Sequence, residues 1–232
     1  EYVDFYGTGK PCARSIYNCV GNHDTVTTPD WIKNTKESAH KLLFEPCNCK
    51  DELTFLECDY SMTYYRDFPE SGIRLVVLDM YFDIDIQCAW LRDILRDARE
   101  KGLCVITAMH ERTDFVNDTF GVTFHTRNDY LSLEGRRDRS PFEEVIVDFI
   151  ADGGCHICNL AGHEHHDLFG LTDAGVLNIA VQSGTCWDGW CDGLRVRGTR
   201  TYDCFNYMAV DVNMGLLKIV RVGNNRDIFL RS

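Results

Sequence analysis

The stretch Ala-Gly-His-Glu-His-His at residues 161–166 constrains the fold of this chain more than any other. It follows an apolar run at residues 155–160, so three imidazoles stand where a buried strand is expected to end. Alternate residues of an extended segment share a face, so His163 and His165 are expected to point the same way. Two imidazoles on one side of a strand end can hold a metal ion, while a solvated His-rich turn is the plainer interpretation. Two ligands do not complete a site, so further ligands have to come from elsewhere in the chain.

A second stretch predicts a strand that ends in polar side chains. Residues 15–20 lean apolar, and Asn22, His23 and Asp24 follow directly after Gly21. Asn22 offers a carbonyl oxygen, His23 an imidazole, and Asp24 a carboxylate that can hold the ring of His23 in one tautomer. These side chains provide a metal ligand and an oriented acid. The alternative is a histidine that only caps the turn together with Asp24.

A third stretch, residues 103–109, has the composition of a buried strand and ends at His110. A helix expected at residues 84–101 separates it from a strand at residues 73–80, which predicts a parallel crossover. Asp79 lies near the end of that earlier strand, where a turn or helix cap is its ordinary role. In open α/β sheets, ligands bind outside the carboxyl ends of the strands, so these strand ends could converge on one pocket.

The remaining periodicity completes an α/β pattern within one expected domain, residues 1–232. Further helices are expected near residues 29–43 and 141–150, and residues 61–66 are expected to pair with the following strand as a hairpin. Four short strands after His166 are expected to form the second sheet of a two-sheet sandwich, at residues 168–171, 176–182, 205–212 and 216–222.

Residues 111–140 lack clear periodicity and predict a long loop over the site. Basic side chains in this loop are candidates to neutralise a phosphate, although an exposed arginine is usually only solvated. The candidates are Arg112, His125, Arg127 and Arg136 or Arg137.

The motifs at the three strand ends resemble those of the calcineurin-like metallophosphoesterases. They occur in the same order and are separated by an α/β pattern. The matching motifs are Gly21-Asn22-His23-Asp24, the strand-terminal His110, and Gly162-His163-Glu164-His165. The resemblance extends from about residue 13 to 222. It implies a two-sheet β-sandwich flanked by helices, a site for two divalent metal ions of the Mn, Fe or Zn class, and hydrolysis of a phosphate mono- or diester.

The same resemblance implies a role for each matching residue. Asn22, His110 and His163 would bind one ion, and His165 would help to bind the other. His23, held by Asp24, would stabilise or protonate the leaving group. Water activated by the ions would attack phosphorus in line.

The chain departs from the family upstream of Gly21. Family members carry an Asp-x-His motif and then a Gly-Asp motif there, which supply most ligands of the first metal and the bridging carboxylate, and neither motif occurs in these 232 residues. Because only 20 residues precede Gly21, we expect the chain to begin inside the domain, with the native reading frame continuing upstream.

Two other functions remain open from the sequence. One is a degenerate module of the same fold, a non-catalytic or single-metal binding or structural protein such as a phage-associated one. The other is an unrelated zinc protein with cysteine ligands, for which the candidates are Cys47-Asn48-Cys49 and Cys155-His156-Ile157-Cys158.

Composition and charge indicate which classes of partner and which cellular compartment to expect. A formal net charge of −12 argues against a general nucleic-acid or anionic-membrane binder, because such surfaces are built from Lys and Arg. No stretch approaches the roughly 20 apolar residues of a membrane helix, and the N-terminus does not read as a signal peptide. The family resemblance implies a phosphoester substrate as the partner, and the expected location is cytoplasmic.

Twelve cysteines are many for this length. Several lie in predicted buried strands, where a thiol behaves as a small hydrophobic side chain, so we expect mostly free thiols. Disulfides within residues 186–191 or 47–58 are the alternative in an oxidising compartment.

Overall fold

A computed structural model describes residues 15–21, 24, 35–47, 49–79, 82–113, 140–163, 167–172, 174–181, 199, 202, 204–223 and 228–230. These residues form an α/β protein with mixed β-sheets, a separate two-stranded sheet and helices. The chain divides into two compact units, Glu1–His110 and Glu111–Ser232.

The first unit contains four strands in the order β1-β2-β3-β4. Their bounds are Thr54–Phe55, Tyr64–Phe68, Ile73–Val77 and Cys104–Ala108. β1 and β3 pair antiparallel with β2, whereas β3 and β4 pair parallel from Ile73↔Cys104 to Val77↔Ala108. Gly72 closes the β2–β3 hairpin with a φ of 64°, a left-handed conformation that glycine adopts without steric cost. The predicted hairpin is therefore confirmed.

The parallel β3–β4 pair requires a crossover, and α2 (Ile84–Glu100) provides it, as predicted. Asp83 caps this helix by accepting a hydrogen bond from the backbone N–H of Ile86, and Gly102 follows it with a φ of 68°. The buried face of α2 repeats at helical spacing and includes Cys88, Leu91, Ile94, Leu95 and Ala98.

Helix α1 (Lys36–Phe44) begins later than the sequence predicts. Its cap is Thr35, whose side chain accepts from the backbone N–H of Ser38 at 3.1 Å. The sequence offers Thr27 or Thr28 with Pro29 as an equally good local start signal, so capping chemistry alone does not distinguish the two positions.

The core of the first unit lies between α1 and the sheet. It contains Val20, Ala39, Phe44, Met62, Tyr64 and Val77, each at most 2% exposed. The rings of Phe44, Phe55 and Tyr64 pack in edge or tilted contacts with centroids 5.3 to 5.5 Å apart. Val20 belongs to residues 15–21, which form no strand, so the strand predicted at residues 15–20 is wrong.

The second unit contains four strands that pair in the order β5-β7-β6-β10. Their bounds are His156–Ala161 for β5, Leu177–Ala180 for β7, Asp167–Leu171 for β6 and Ile228–Leu230 for β10. β5 pairs parallel with β7, β7 antiparallel with β6, and β6 parallel with β10. Helix α3 (Pro141–Ala151) precedes β5, and its cap Ser140 accepts from the backbone N–H of Glu143, as predicted. A separate hairpin joins β8 (Cys204–Asp211) to β9 (Leu216–Gly223).

The second sheet predicted after His166 is wrong in its membership. β6 and β7 join β5, while β8 and β9 pair only with each other among the described strands. Alternating polarity indicates that a strand has one buried face, but it does not identify the strand's partner. No helix in the described ranges has the length and apolar character that crossing a bilayer requires.

Candidate functional site

Side chains anchor the first part of the segment formed by residues 15–21. Arg66 bonds to the hydroxyls of Ser15 and Tyr17, and the thiol of Cys49 donates to the carbonyl of Ile16 at 3.2 Å. Each anchor comes from β2 or from the turn after α1. These anchors hold the segment that leads into Gly21 against the sheet without strand pairing.

A closed turn follows this segment. The backbone N–H of Asp24 donates to the carbonyl of Gly21 at 3.0 Å, and Asp24 Oδ2 accepts from the backbone N–H of Gly21 at 2.8 Å. The two bonds fix the ends of the turn that Asn22 and His23 occupy in the sequence. Asn22 and His23 lie outside the described residues, so the expected pairing of Asp24 with His23 is not described.

His110 follows β4, and its ring lies against Gly21. A Cβ added to Gly21 would stand 2.9 Å from His110 Cε1, 3.0 Å from Nδ1 and 3.3 Å from Nε2. Distances under 3.0 Å are closer than real Cβ contacts, so only a residue without a side chain permits this approach. The structure thus brings together two of the sequence motifs, which lie far apart in the chain.

Asp79, for which the sequence predicts a turn or helix cap, is a buried residue. It follows β3 and is 2% exposed. Gln87 of α2 accepts from the Asp79 backbone N–H at 3.0 Å and donates to its carbonyl at 2.6 Å, and Thr63 Oγ1 donates to Gln87 Oε1 at 2.6 Å. A polar residue inside the apolar stripe of α2 was the signal, because a buried glutamine requires polar partners.

The electrostatic surroundings of this turn are negative. Burial, together with the smaller effects of the charges of Asp79 and Asp24, raises the pKa of the Cys19 thiol to about 12. Both carboxylates therefore lie within electrostatic range of one sulfur, which stays a neutral thiol. Such surroundings favour a cation over an anion.

His163, in the second unit, follows the end of β5 with a φ of 60°. A left-handed conformation costs a non-glycine residue roughly 1 to 2 kcal/mol, and such residues cluster at functional sites. His165 lies outside the described residues. The backbone at the end of β5 is therefore strained at His163. The predicted pairing of His163 with His165 stays a prediction.

A buried polar network that the sequence analysis missed supports β5 and β7. Asn178 Oδ1 accepts from Asn159 Nδ2 at 3.0 Å and from the backbone N–H of Thr113 at 3.1 Å, while Asn178 Nδ2 donates to Thr113 Oγ1 at 2.8 Å. All three residues are at most 1% exposed. Their contacts specify how the strand that leads to His163 pairs with its neighbour, because buried amides need defined partners.

Of the candidate phosphate-binding side chains, the described part of the loop contains only Arg112. Arg112 is 7% exposed, which differs from the solvated arginine that is usual in a loop. His125, Arg127, Arg136 and Arg137 lie outside the described residues.

In the described ranges, no three His, Cys, Asp or Glu side chains are grouped so that they could hold a metal ion. Asn22, His23 and His165 lie outside those ranges. The nine described cysteines, which include Cys47, Cys49, Cys155 and Cys158, are free thiols.

Compared with models of known protein families and with curated proteins, the chain matches none.

Proposed function

We propose that this protein is a metal-dependent phosphoesterase of the calcineurin-like fold that hydrolyses a phosphate mono- or diester. The observation that carries the proposal is the contact between the His110 ring and Gly21. The motif at Gly21 and the histidine after β4 were linked from the sequence by resemblance alone. Their meeting in the first unit is what a shared site requires.

The donor set suits borderline divalent ions. The proposed ligands are the carbonyl oxygen of Asn22 and the imidazoles of His110, His163 and His165, and oxygen and nitrogen donors of this kind accept Mn, Fe or Zn. His163 and His165 belong to the second unit, and their part in the site rests on the resemblance. When bound, two such ions would neutralise charge on the phosphate and lower the pKa of a water.

The contacts of Asp24 support its role as a positioning residue. Its Oδ2 accepts from the backbone N–H of Gly21, which closes the turn between the two residues. Held in this turn, Asp24 is proposed also to orient the neighbouring His23. We propose that His23 then protonates or stabilises the leaving oxygen.

Metal analysis combined with an assay tests the proposal. The protein expressed from its full reading frame should bind divalent ions and hydrolyse an aryl phosphate. His110→Ala and His163→Ala should each lower the metal content, whereas the control His40→Ala should not, because His40 Nδ1 is engaged with the carbonyl of Ser61 at 2.8 Å. Unchanged stoichiometry in both site variants would remove the proposed ligands.

His23→Ala separates catalysis from metal binding. General acid catalysis typically contributes ~10² to 10⁴-fold, so kcat on a substrate with a poor leaving group should fall by that order while metal content is kept. A wild-type kcat on such a substrate would show that His23 only caps the turn.

The second candidate is a degenerate module of the same fold. It is favoured by the lack of Asp-x-His and Gly-Asp motifs in the 232 residues. A protein that binds at most one ion per chain and does not hydrolyse aryl phosphates or phosphodiesters in the same assays would support it.

A further inference from the structure

The segment of residues 15–21 that leads to the turn contacts two different parts of the first unit. Val20 is fully buried in the core cluster with Phe44 and Tyr64, and Cys19 packs against the same cluster. Cys19 Sγ also lies 4.0 Å from the carbonyl of Leu78, after β3, and Gly21 contacts His110. A shift of this segment by one residue would place the branched side chain of Val20 where Gly21 now meets the ring, and the space there does not admit a Cβ. The register of the segment therefore decides whether a glycine meets the His110 ring.

Strand pairing does not set this register in the described residues, because 15–21 belong to no strand. The densest set of contacts in the segment belongs to Asn18. Its Nδ2 donates to the carbonyl of Leu43 and to Cys47 Sγ, the latter at 3.1 Å, and its own carbonyl accepts from Tyr64 Oη at 2.9 Å. Asn18 thus joins the end of α1, the following turn and β2.

The contact with Leu43 explains why an amide is suited to this position. Leu43 lies in the last turn of α1, where carbonyl groups have no partner within the helix. Its oxygen accepts from Asn18 Nδ2 and from Cys47 Sγ, the latter at 3.0 Å. Because a carbonyl oxygen can only accept, the amide of Asn18 has one possible orientation there.

We propose that Asn18 is a positioning residue, which sets the register of this segment and thereby the placement of the Gly21–Asp24 turn against His110. It does so from a position three residues before Gly21 in the chain. The effect of Asn18 on turnover rests on the proposed function, whereas its effect on the contact between Gly21 and His110 does not.

Nuclear magnetic resonance on the full chain measures that contact directly. The His110 ring stands where a Gly21 side chain would be, so it shifts the Gly21 resonances, and His110→Ala defines their positions without the ring. Asn18→Leu keeps the side-chain size and removes the donor. Its Gly21 resonances should move toward those of His110→Ala. The control Ile94→Val, in α2, should leave them at the wild-type positions.

Asn18→Asp tests whether a donor at this position restores the contact, because its carboxyl group can donate only when it is protonated. An ionised carboxylate places an acceptor against the Leu43 carbonyl, which should displace the segment near neutral pH. At acidic pH the carboxyl carries a proton and can donate, so the Gly21 resonances should return toward their wild-type positions. The wild type and Asn18→Leu should not show this return.

Turnover gives a separate measurement. If the proposed function holds, Asn18→Leu should lower kcat by up to ~10²-fold, the scale of a small misplacement of reacting groups, with KM little changed. Shifted Gly21 resonances in a protein without hydrolytic activity would uphold the positioning role and count against the phosphoesterase.

Wild-type Gly21 resonances in Asn18→Leu would overturn the proposal. If neither Asn18 variant folds, the wild-type protein decides it through the exchange of side-chain amide protons. Asn18 protons that exchange as fast as those of the exposed Asn213 would overturn the proposal, and protected ones would uphold it.

Discussion

The ring of His110 occupies the place of a Gly21 side chain, with its Cε1 2.9 Å from where a Cβ would stand. The backbone of Gly21 does not have the left-handed φ that would itself call for glycine, so the requirement is one of space. This close approach joins the turn at Gly21–Asp24 to the end of β4.

Replacing Gly21 with alanine should therefore cost stability only while the His110 ring is present. Overpacking of this kind costs roughly 1 to 3 kcal/mol. Urea unfolding of wild type, Gly21→Ala, His110→Ala and the double variant should show that the cost of the added methyl nearly disappears without the ring. Gly102→Ala is the control, since its added methyl meets no atom within 4 Å and should cost the same in both backgrounds. An equal cost of Gly21→Ala in both backgrounds would contradict the contact.

Arg74 is a fully buried cation, and its loss should destabilise the first unit. Its guanidinium bonds Asp67 through two nitrogens, at 2.6 and 2.8 Å, and Asp97 at 2.7 Å. Arg74→Met should lower the free energy of unfolding by roughly 1 to 3 kcal/mol, because the buried carbonyl of Ile94 loses its donor and Asp67 loses its bidentate partner. Arg96→Ala breaks a pair with Asp93 in which both side chains are more than half exposed, and it should change stability by less than about 1 kcal/mol. Similar losses in both variants, measured by urea unfolding, would show that burial does not decide the strength of these pairs.

His156 should make the second unit sensitive to acid. Burial lowers the pKa of His156 to about 4, from an ordinary value of 6.5. Between those values the unfolded chain binds a proton that the folded chain does not, so stability falls as pH drops from about 6.5 to about 4, by about 1.4 kcal/mol per pH unit at most. Unfolding of wild type and His156→Leu across this range isolates the effect. The stability of the wild type relative to the variant should decline toward low pH, and parallel curves would disprove the assignment.

The cysteines should differ widely in reactivity. Burial raises the pKa of both Cys19 and Cys158 to about 12, whereas Cys155 is exposed. Because the thiolate is the nucleophile, iodoacetamide at mildly basic pH should label Cys155 first and leave the two buried thiols until the protein is unfolded. Mass spectrometry of native and urea-unfolded samples locates the label. Early labelling of Cys158 in the native protein would contradict the described burial.

Local signals in the sequence predicted most of the helices and strands, but not β1 or β10. The period of α2, the Asp83 cap and Gly102 after it are all encoded within one stretch of about twenty residues, so the helix and its crossover could be recognised. The prediction of a strand at residues 15–20 was wrong because apolar character indicates burial but not strand pairing. Val20 is buried, yet side-chain hydrogen bonds hold the segment in place of a ladder of backbone hydrogen bonds.

The candidate site was predictable only in part. The motif residues could be named, and Asp24 and His110 lie at a turn and a strand end as expected. The supporting residues could not be named, since a buried glutamine such as Gln87 or an asparagine such as Asn18 has no local pattern that identifies its partner.

The sequence by itself determined which stretches form most of the helices and strands, because caps, turn glycines and hydrophobic periods act between neighbouring residues. Only the tertiary structure decided that Asn18 reaches Leu43, that β6 and β7 join β5, and that His110 lies on Gly21. Such contacts join residues that are distant in the chain, and their geometry depends on how every intervening element packs. Because a protein interior is closely packed, the side chains of the core fit together in one arrangement. In that arrangement the His110 ring lies against Gly21.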